Sequence, residues 1–196
     1  MQRPLILKLG GSLISHLPEI IPILQHTRRP VLIVPGGGPF ADLVRKYHND
    51  NESSHWMALA AMEEYGWYIG GHGIPVTDCL AVPDCTLVYL PYKCMRSIDP
   101  LPHSWDVSSD TIAAWIADRV GLDLVLLKSV DGVRIRGSLV KEITEPVSCE
   151  ELDPCFIPFV LGHRVRATVI NGLYIERIKG VLAGRPVLGT TIYTTF

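Results

Sequence analysis

Short apolar runs alternate with helical segments, and this alternation restricts the possible folds most. Six runs are apolar and rich in branched residues: 5–9, 31–34, 86–90, 124–127, 168–170 and 191–193. Strands that are apolar throughout are typical of parallel sheets covered on both faces. Apolar residues at three- and four-residue spacing predict helices at 53–69, 109–120 and 173–183. The pattern predicts an open, mainly parallel sheet in a three-layer α/β/α fold.

The whole chain, residues 1–196, is predicted to form one domain. Hydrophobic residues make up 47% of it and charged residues 19%, a balance that allows a substantial core. Gly137 and Ser138 lie in the middle of residues 133–143, which predicts a β-hairpin inserted into the alternating pattern. The proline-containing stretch 98–103 predicts a surface loop.

Charge and hydropathy disfavour two classes of partner. The net charge of −2 offers no basic stripe for nucleic acid. No apolar run approaches the roughly 18 residues that a membrane span needs. The chain enters its first apolar run at Leu5 without a charged leader, and its five cysteines form no C-x-x-C pair, so we expect reduced thiols and a cytoplasmic location. A small-molecule partner fits these features better.

A glycine turn follows the first predicted strand. Gly10 and Gly11 allow the backbone to turn tightly and approach a ligand, and Ser12 begins a predicted helix whose N-terminal N–H groups favour an anion. Lys8 precedes them inside an apolar strand, where its ammonium group needs a partner, and a bound phosphate would provide one. The alternative is a solvent-facing lysine followed by a flexible turn.

A second glycine turn, Gly36, Gly37 and Gly38, follows the second predicted strand. Parallel strands would bring both turns to the carboxyl edge of one sheet, where open α/β folds bind their ligands. Neither turn matches G-x-x-x-x-G-K-[ST] or G-x-G-x-x-G. The sequence therefore predicts two anion-binding corners that belong to neither of these common nucleotide motifs.

Two further clusters contain aspartates. Asp106 and Asp110 precede an alanine-rich helix, for which Ser109 could be the N-cap, although capping leaves Asp106 unexplained. Downstream, Lys128 is followed by the sequence Asp131-Gly132-Val133, which could be no more than a turn after a strand. Each cluster taken alone therefore has a purely structural interpretation.

Taken together and in this order, the four clusters resemble the amino acid kinase superfamily, which includes acetylglutamate, uridylate, aspartate and isopentenyl phosphate kinases. The resemblance covers nearly the whole chain and includes a late Asn171-Gly172 and a final Gly189-Thr190. Residues 51–66, 105–110 and 127–133 look most like the archaeal branch that phosphorylates [5-(aminomethyl)furan-3-yl]methyl phosphate in methanofuran biosynthesis. The resemblance implies an ATP-dependent kinase that uses Mg²⁺ carried mainly by the nucleotide, with no side chain as metal ligand.

The resemblance also implies a role for each candidate residue. Lys8 would reach the transferring phosphoryl group and Asp110 would orient it. A larger set would bind the nucleotide: Gly10, Gly11, Ser12, Lys128, Asp131, Gly132 and Val133. The acceptor would meet Gly36, Gly37, Gly38, His55 and Asp106, with Asp106 opposite its amine and Trp56, Trp67 and Trp105 as candidate walls. The helix at 53–69 would form a homodimer interface.

Two departures from the family pattern limit this interpretation. Many relatives carry a second lysine before the late Asn-Gly pair, whereas residues 161–166 contain none, and Lys128, Arg164 or Arg166 could replace it. The histidine of isopentenyl phosphate kinases after the second glycine turn is also absent, since Asp42 ends that segment. Another small phosphate or carboxylate kinase, or a non-catalytic nucleotide-binding sensor or storage subunit, therefore remains an alternative.

Overall fold

A computed structural model describes residues 2–47 and 50–195, which form an eight-stranded sheet in the order β3-β4-β2-β1-β5-β9-β10-β8. The strands of this sheet are β1 (Leu5–Leu9), β2 (Val31–Pro35), β3 (Val76–Thr77), β4 (Leu87–Tyr89), β5 (Leu124–Lys128), β8 (Glu142–Ile143), β9 (Ala167–Asn171) and β10 (Gly189–Ile192). All neighbouring strands pair in parallel except β9 and β10. The predicted mainly parallel sheet is confirmed.

Helices connect the strands on both faces of the sheet. They are α1 (Leu17–His26), which continues a 3₁₀ helix (Gly11–His16), α2 (Gly38–Tyr47), α3 (Asn51–Gly70), α4 (Tyr92–Ile98), α5 (Ser109–Val120), α6 (Phe156–Gly162) and α7 (Ile175–Leu182). The three predicted helices correspond to α3, α5 and α7, with ends displaced by up to two residues. None of the described helices is long and apolar enough to cross a bilayer.

Two apolar cores lie on opposite faces of the sheet, and alternate residues of β1 contribute to each. Leu5, Leu7 and Leu9 belong to the core that includes α1 and α7. Ile6 belongs to the other core, which includes α5 and α6. Successive side chains of a strand point to opposite faces, so Lys8 shares the face of Ile6 and α5. This parity directs Lys8 toward the start of α5.

The inserted hairpin is confirmed, since β6 (Arg134–Ile135) pairs antiparallel with β7 (Ser138–Leu139). The chain then returns to the main sheet at β8, beside β10. The proline-containing stretch is more tightly packed than a surface loop requires, because Leu101 is buried in the core next to α5. The ring of His103 is held between the carboxylates of Glu52 and Asp99.

Candidate active site

Lys8 lies at the carboxyl end of β1 with its ammonium group buried against α5. Its Nζ is 2.7 Å from Asp110 Oδ1, and the two residues are 5% and 3% exposed. Two such buried charges are tolerated because each is the partner of the other. The interpretation of Lys8 as a solvent-facing lysine is therefore wrong.

Lys128 meets the same carboxylate from the neighbouring strand. It is the last residue of β5, which pairs with β1, and its Nζ donates to Asp110 Oδ2 over 2.6 Å. Lys128 is more open than Lys8, with a side chain 20% exposed. One buried carboxylate thus orients two ammonium groups at the edge of the sheet, and the three charges sum to one positive charge.

Burial and charge shift the pKa values of this cluster. Burial raises the pKa of Asp110, but the ammonium groups of Lys8 and Lys128 more than offset this and hold it below its ordinary value. Burial lowers the pKa of Lys8, an effect that Asp110 opposes and Lys128 reinforces. Asp110 is therefore an ionised orienting group and a poor proton acceptor.

The two glycine turns contact each other through their backbones. A Cβ atom on Gly11 would lie 2.2 Å from the Cα of Gly38, so only glycine fits at this position. Gly38 itself has a φ of 54°, a left-handed conformation that glycine adopts without strain. Gly10 and Gly36 anchor the turns, donating N–H bonds to Leu127 O and Leu9 O.

A cleft of about 370 Å³ opens over these turns. Its lining includes Lys8, Gly11, Ser12, Gly37, Gly38, Ser108, Ser109, Asp110 and Lys128. The 3₁₀ helix and α2 begin here, so their N-terminal N–H groups add to the positive charge of the two lysines. The cleft is therefore suited to a polyanion such as the phosphate chain of a nucleotide.

The same cleft fits a metal ion that arrives with the phosphates better than one held by side chains. Two of its lining residues carry carboxylates, Asp42 and Asp110. Asp42 is paired with Arg45 over 2.7 Å, and Asp110 is occupied by the two lysines. The two lysines make Asp110 a poor ligand for Mg²⁺, while phosphate oxygens would supply the hard ligands that Mg²⁺ prefers.

Asp153 fixes the start of α5 and was missed by the sequence analysis. Its carboxylate accepts bonds from the N–H and Oγ of Ser108, at 3.0 and 2.7 Å, and from the N–H and Oγ1 of Thr111, at 3.1 and 2.5 Å. Ser108, and not Ser109 as predicted, is the N-cap residue. Asp153 follows a long irregular segment, so only the tertiary fold reveals its role as the support of Asp110.

Asp131 lies in the turn after β5 and is not among the residues that line the cleft. Arg177 donates a hydrogen bond to Asp131 Oδ1 over 2.6 Å, and Asn171 Nδ2 donates to the same oxygen over 3.1 Å. Those hydrogen bonds from Arg177 and Asn171 lower the pKa of Asp131. Ser12 Oγ lies 3.4 Å from Ser129 Oγ, which links this turn to the first glycine turn. Arg177 and Ser129 are additional polar groups that no sequence motif singled out.

Gly132 and Val133 shape this turn from inside. Gly132 has a φ of 147°, and a Cβ there would lie 2.6 Å from Thr190 Oγ1. Val133 donates its N–H to that oxygen over 2.8 Å, and its side chain is fully buried in the core. The buried side chain of Val133 packs in the core, so the predicted nucleotide contact of Val133 stays a prediction that could involve only its main chain.

A second cavity of about 470 Å³ adjoins the anion cleft and shares Gly37, Ala41, Arg45, Ser108 and Ser109 with it. Its remaining wall comes from α3, α5 and the segment before α5, and includes Ala58, Leu59, Met62, Trp105, Val107 and Ile112. Such a mainly apolar pocket beside a cleft suited to anions could accept a small molecule with an apolar body and an anionic group. Trp105 lines it as predicted, whereas Trp67 is exposed on the outer side of α3.

His55 and Asp106 differ in their relation to this cavity. His55 lines it, and the N-cap of α3 just before it is Asp50, whose carboxylate accepts from the N–H of Ser53. Burial and the charge of His103 lower the pKa of His55, which weakens it as a phosphate-binding cation. Asp106 is exposed and absent from the lining, so the geometry does not bring its carboxylate to the predicted acceptor site.

The structure separates the three candidates for the second basic residue. Arg166 precedes β9, and its carbonyl accepts from Leu124 N at the start of β5. Lys128 lies four residues beyond Leu124 along β5, which at about 3.3 Å per residue places it about 13 Å from the level of Arg166. Arg164 lies two residues before Arg166, and Arg166 stacks 5.0 Å over Tyr193. Among the three, Lys128 alone reaches the cleft.

Comparisons with known proteins agree with this architecture. The chain is 27% identical over 208 residues to [5-(aminomethyl)furan-3-yl]methyl phosphate kinase of Methanocaldococcus jannaschii, covering 95% of this chain and 96% of that protein. UMP kinase of Ureaplasma parvum matches with a TM-score of 0.74 and 14% identity, over 99% of this chain and all of that one. An isopentenyl phosphate kinase structure matches with a TM-score of 0.64 and 17% identity, over 96% of this chain and 100% of that one. No family model matches the chain.

Proposed function

Since the chain has the amino acid kinase fold and a homologue along nearly its whole length, we propose that it is an ATP-dependent kinase of a small phosphate monoester. The observation that carries the proposal is the pair Lys8 and Lys128 on Asp110, beside the joined glycine turns. The acceptor named for the homologue, [5-(aminomethyl)furan-3-yl]methyl phosphate, is the first candidate substrate, and its diphosphate would be the product. The reaction would then belong to methanofuran biosynthesis.

The proposed reaction needs charge stabilisation more than it needs a base. A phosphate oxygen of the acceptor attacks the γ-phosphorus of ATP, the bond to the β–γ bridging oxygen breaks, and ADP leaves with that electron pair. The acceptor is already anionic near neutral pH, so the ionised Asp110 need not remove a proton. Lys8 and Lys128 would neutralise the charge on the transferring group, and this positioning supplies most of the catalysis in phosphoryl transfer.

Each side of the cleft would hold one substrate. Ser12, Gly10 and Gly11 would bind the ATP phosphates, with Asp131 and Arg177 beside them toward the nucleoside. Gly37 and Gly38, at the start of α2, would bind the acceptor phosphate, because both line the anion cleft and Gly37 also lines the apolar cavity. Mg²⁺ bound to the ATP phosphates would further reduce the repulsion between the two anions.

A phosphate monoester that carries no ammonium group remains the second candidate acceptor, and one observation favours it. Among the described residues, those lining the cavity include no aspartate or glutamate. The ammonium group of an aminomethylfuran would therefore meet no carboxylate there, whereas an isoprenoid tail would suit the apolar walls. Isopentenyl phosphate is the corresponding substrate.

A competition between the two acceptors tests the proposal. ADP release would be measured with ATP and Mg²⁺ against the furan phosphate and isopentenyl phosphate, with ³¹P NMR detecting the new diphosphate. We expect turnover of the furan phosphate with the higher kcat/KM. Preference for isopentenyl phosphate would establish the second candidate, and nucleotide binding without turnover of either would indicate a non-catalytic nucleotide-binding protein.

We also propose that residues 1–196 act as one domain and assemble as a homodimer through α3. Met57, Trp67 and Tyr68 are 43%, 57% and 46% exposed on that helix, a large apolar surface for a peripheral element. The five cysteines are free thiols, which supports a reducing, cytoplasmic location.

A further inference from the structure

A cluster of two histidines and one aspartate lies at the rim of the acceptor cavity. His55 comes from the second turn of α3, Asp99 caps the C-terminus of α4, and His103 belongs to the segment before α5. One ligand atom from each lies within 4.8 Å of the other two. Two imidazoles with one carboxylate are a donor set that suits Zn²⁺ and other divalent transition metals.

The ring of His103 is oriented as in metal sites. Its Nδ1 faces the Glu52 carboxylate and its Nε2 faces Asp99 Oδ1 over 2.7 Å. Metal-binding histidines commonly use one ring nitrogen for the ion and the other for such a carboxylate. Glu52 is itself held in place, because Trp56 Nε1 donates to it over 2.7 Å and Arg96 stacks 4.5 Å from the Trp56 ring.

His55 contributes the second imidazole of the cluster. It stacks on His103 with ring centroids 4.1 Å apart and an interplanar angle of 19°. Within residues 2–47 and 50–195, neither of its ring nitrogens has a hydrogen-bond partner. A structural role for the Glu52–His103–Asp99 contacts would not explain why a second imidazole with unpaired nitrogens is packed against them.

Binding one ion requires side-chain rotation, because the stacked rings of His55 and His103 must turn until both ring planes meet at the ion. Two ligand atoms on one tetrahedral Zn²⁺, each at about 2.0–2.1 Å, lie about 3.3 Å apart. His103 Nε2 and Asp99 Oδ1 are closer than this, and the widest separation in the cluster would have to shorten by about 1.5 Å from its 4.8 Å limit. Rotation of the half-buried His55 ring or the exposed Asp99 carboxylate can supply that movement.

We propose that His55, Asp99 and His103 bind one divalent transition-metal ion of the Zn²⁺ class, with Glu52 orienting His103. The ion would join α3 to the segment that carries Trp105, and so fix one wall of the cavity. Metal binding by the free protein does not depend on the proposed kinase activity. The two can therefore fail separately.

The test is metal binding by the full chain after treatment with a chelator. Zn²⁺ would be titrated by calorimetry and Co²⁺ followed by its visible absorption, with the thiols alkylated so that Cys79 and Cys85 cannot contribute. We expect one ion per chain, with affinity reduced about 100-fold or more in His103→Asn and about 10- to 100-fold in Glu52→Gln. His163→Asn is the matched control, because His163 contacts Asp118 over 3.2 Å and stacks on Phe159 away from the cluster.

Folding of each variant would be checked by circular dichroism. Asp99→Asn provides a second route if His103→Asn does not fold, since Asp99 is exposed and its left-handed backbone suits asparagine as well. Sub-stoichiometric binding, or equal affinity in the wild type, His103→Asn and Asp99→Asn, would overturn the proposal. So would Co²⁺ spectra of the bound ion that are unchanged by these substitutions.

Discussion

Lys128 and Asp110 form an ion pair of 2.6 Å between the end of one strand and the first turn of a helix. Asp110 also pairs with the buried Lys8, so the more exposed ammonium group of Lys128 lies beside that of Lys8. In the proposed reaction, this arrangement would supply two positive charges without a lysine between α6 and β9. The predictions below follow from it and from its supports.

Removing the ammonium group of Lys8 or of Lys128 should lower the rate of phosphoryl transfer. We expect Lys8→Met and Lys128→Met each to lower kcat by ~10²–10³-fold with little change in the circular dichroism spectrum, because each removes charge stabilisation from the transferring group. Lys93→Met is the control, since Lys93 forms an exposed pair with Asp78. Kinase activity within a few fold of the wild type in Lys8→Met would contradict the mechanism.

Asp110 should contribute to stability through its two lysines. Asp110→Asn leaves two ammonium groups without their counter-charge, at a cost of about 3–5 kcal/mol in the free energy of unfolding. Adding Lys8→Met to Asp110→Asn should recover about 1 kcal/mol or more, because the buried unpaired charge is then removed. Urea unfolding of the wild type, both single variants and the double variant measures this coupling. A coupling near zero would mean that the ion pair has no energetic role.

The pH dependence of stability should report on Lys8. Burial holds the pKa of Lys8 in the folded protein below the ordinary 10.5. At pH values between the folded pKa and 10.5, the unfolded chain therefore binds the proton of Lys8 more tightly than the folded chain does. The unfolding free energy of the wild type should therefore rise with pH relative to Lys8→Met. Urea titrations from neutral pH up to 10.5 check the sign. A difference that falls with pH would refute it.

Asp153 should act on catalysis through the start of α5. Asp153→Ala removes the acceptor of four hydrogen bonds from Ser108 and Thr111, and we expect a loss of about 2–3 kcal/mol in stability. Displacement of Asp110 should lower kcat more than it changes the KM for either substrate. Asp118→Ala is the control, with an expected change within about 0.5 kcal/mol. Unaltered kcat in Asp153→Ala would show that the support is not needed.

The exposed face of α3 should govern the oligomeric state. Trp67→Asp places a charge in the centre of the proposed apolar interface, so we expect a monomer by size-exclusion chromatography with light scattering. Leu188→Asp changes a side chain that is 48% exposed elsewhere and should leave a dimer. A wild-type protein that is already monomeric would exclude the interface.

Local sequence patterns were enough to predict the sheet and its glycine turns. The apolar runs at β1 and β2, with glycines directly after them, determine both the strands and the edge at which the turns lie. The ion pair of Lys128 with Asp110 could not be predicted, because it depends on β5 lying beside β1 across a long crossover. Arg164 and Arg166 could be excluded only once the direction of β9 was known.

Residues in irregular segments were the least predictable. Asp106 and Asp110 are four positions apart, yet the capped start of α5 buries Asp110 and leaves Asp106 exposed outside the cavity. Asp153 has no periodic pattern around it and acts through a distant helix. Such contacts arise from tertiary packing, which local propensity and spacing do not encode.

The backbone contact between Gly11 and Gly38 makes the spacing of the two glycine turns independent of the shape of the apolar cavity. The distance between the two glycine turns is set by main-chain atoms, so substitutions that reshape the apolar cavity leave it unaltered. If the turns bind the two phosphates as proposed, residues such as Trp105 and Met62 could change to suit another acceptor while the phosphates keep their positions. The same contact makes Gly11 intolerant of even a methyl group.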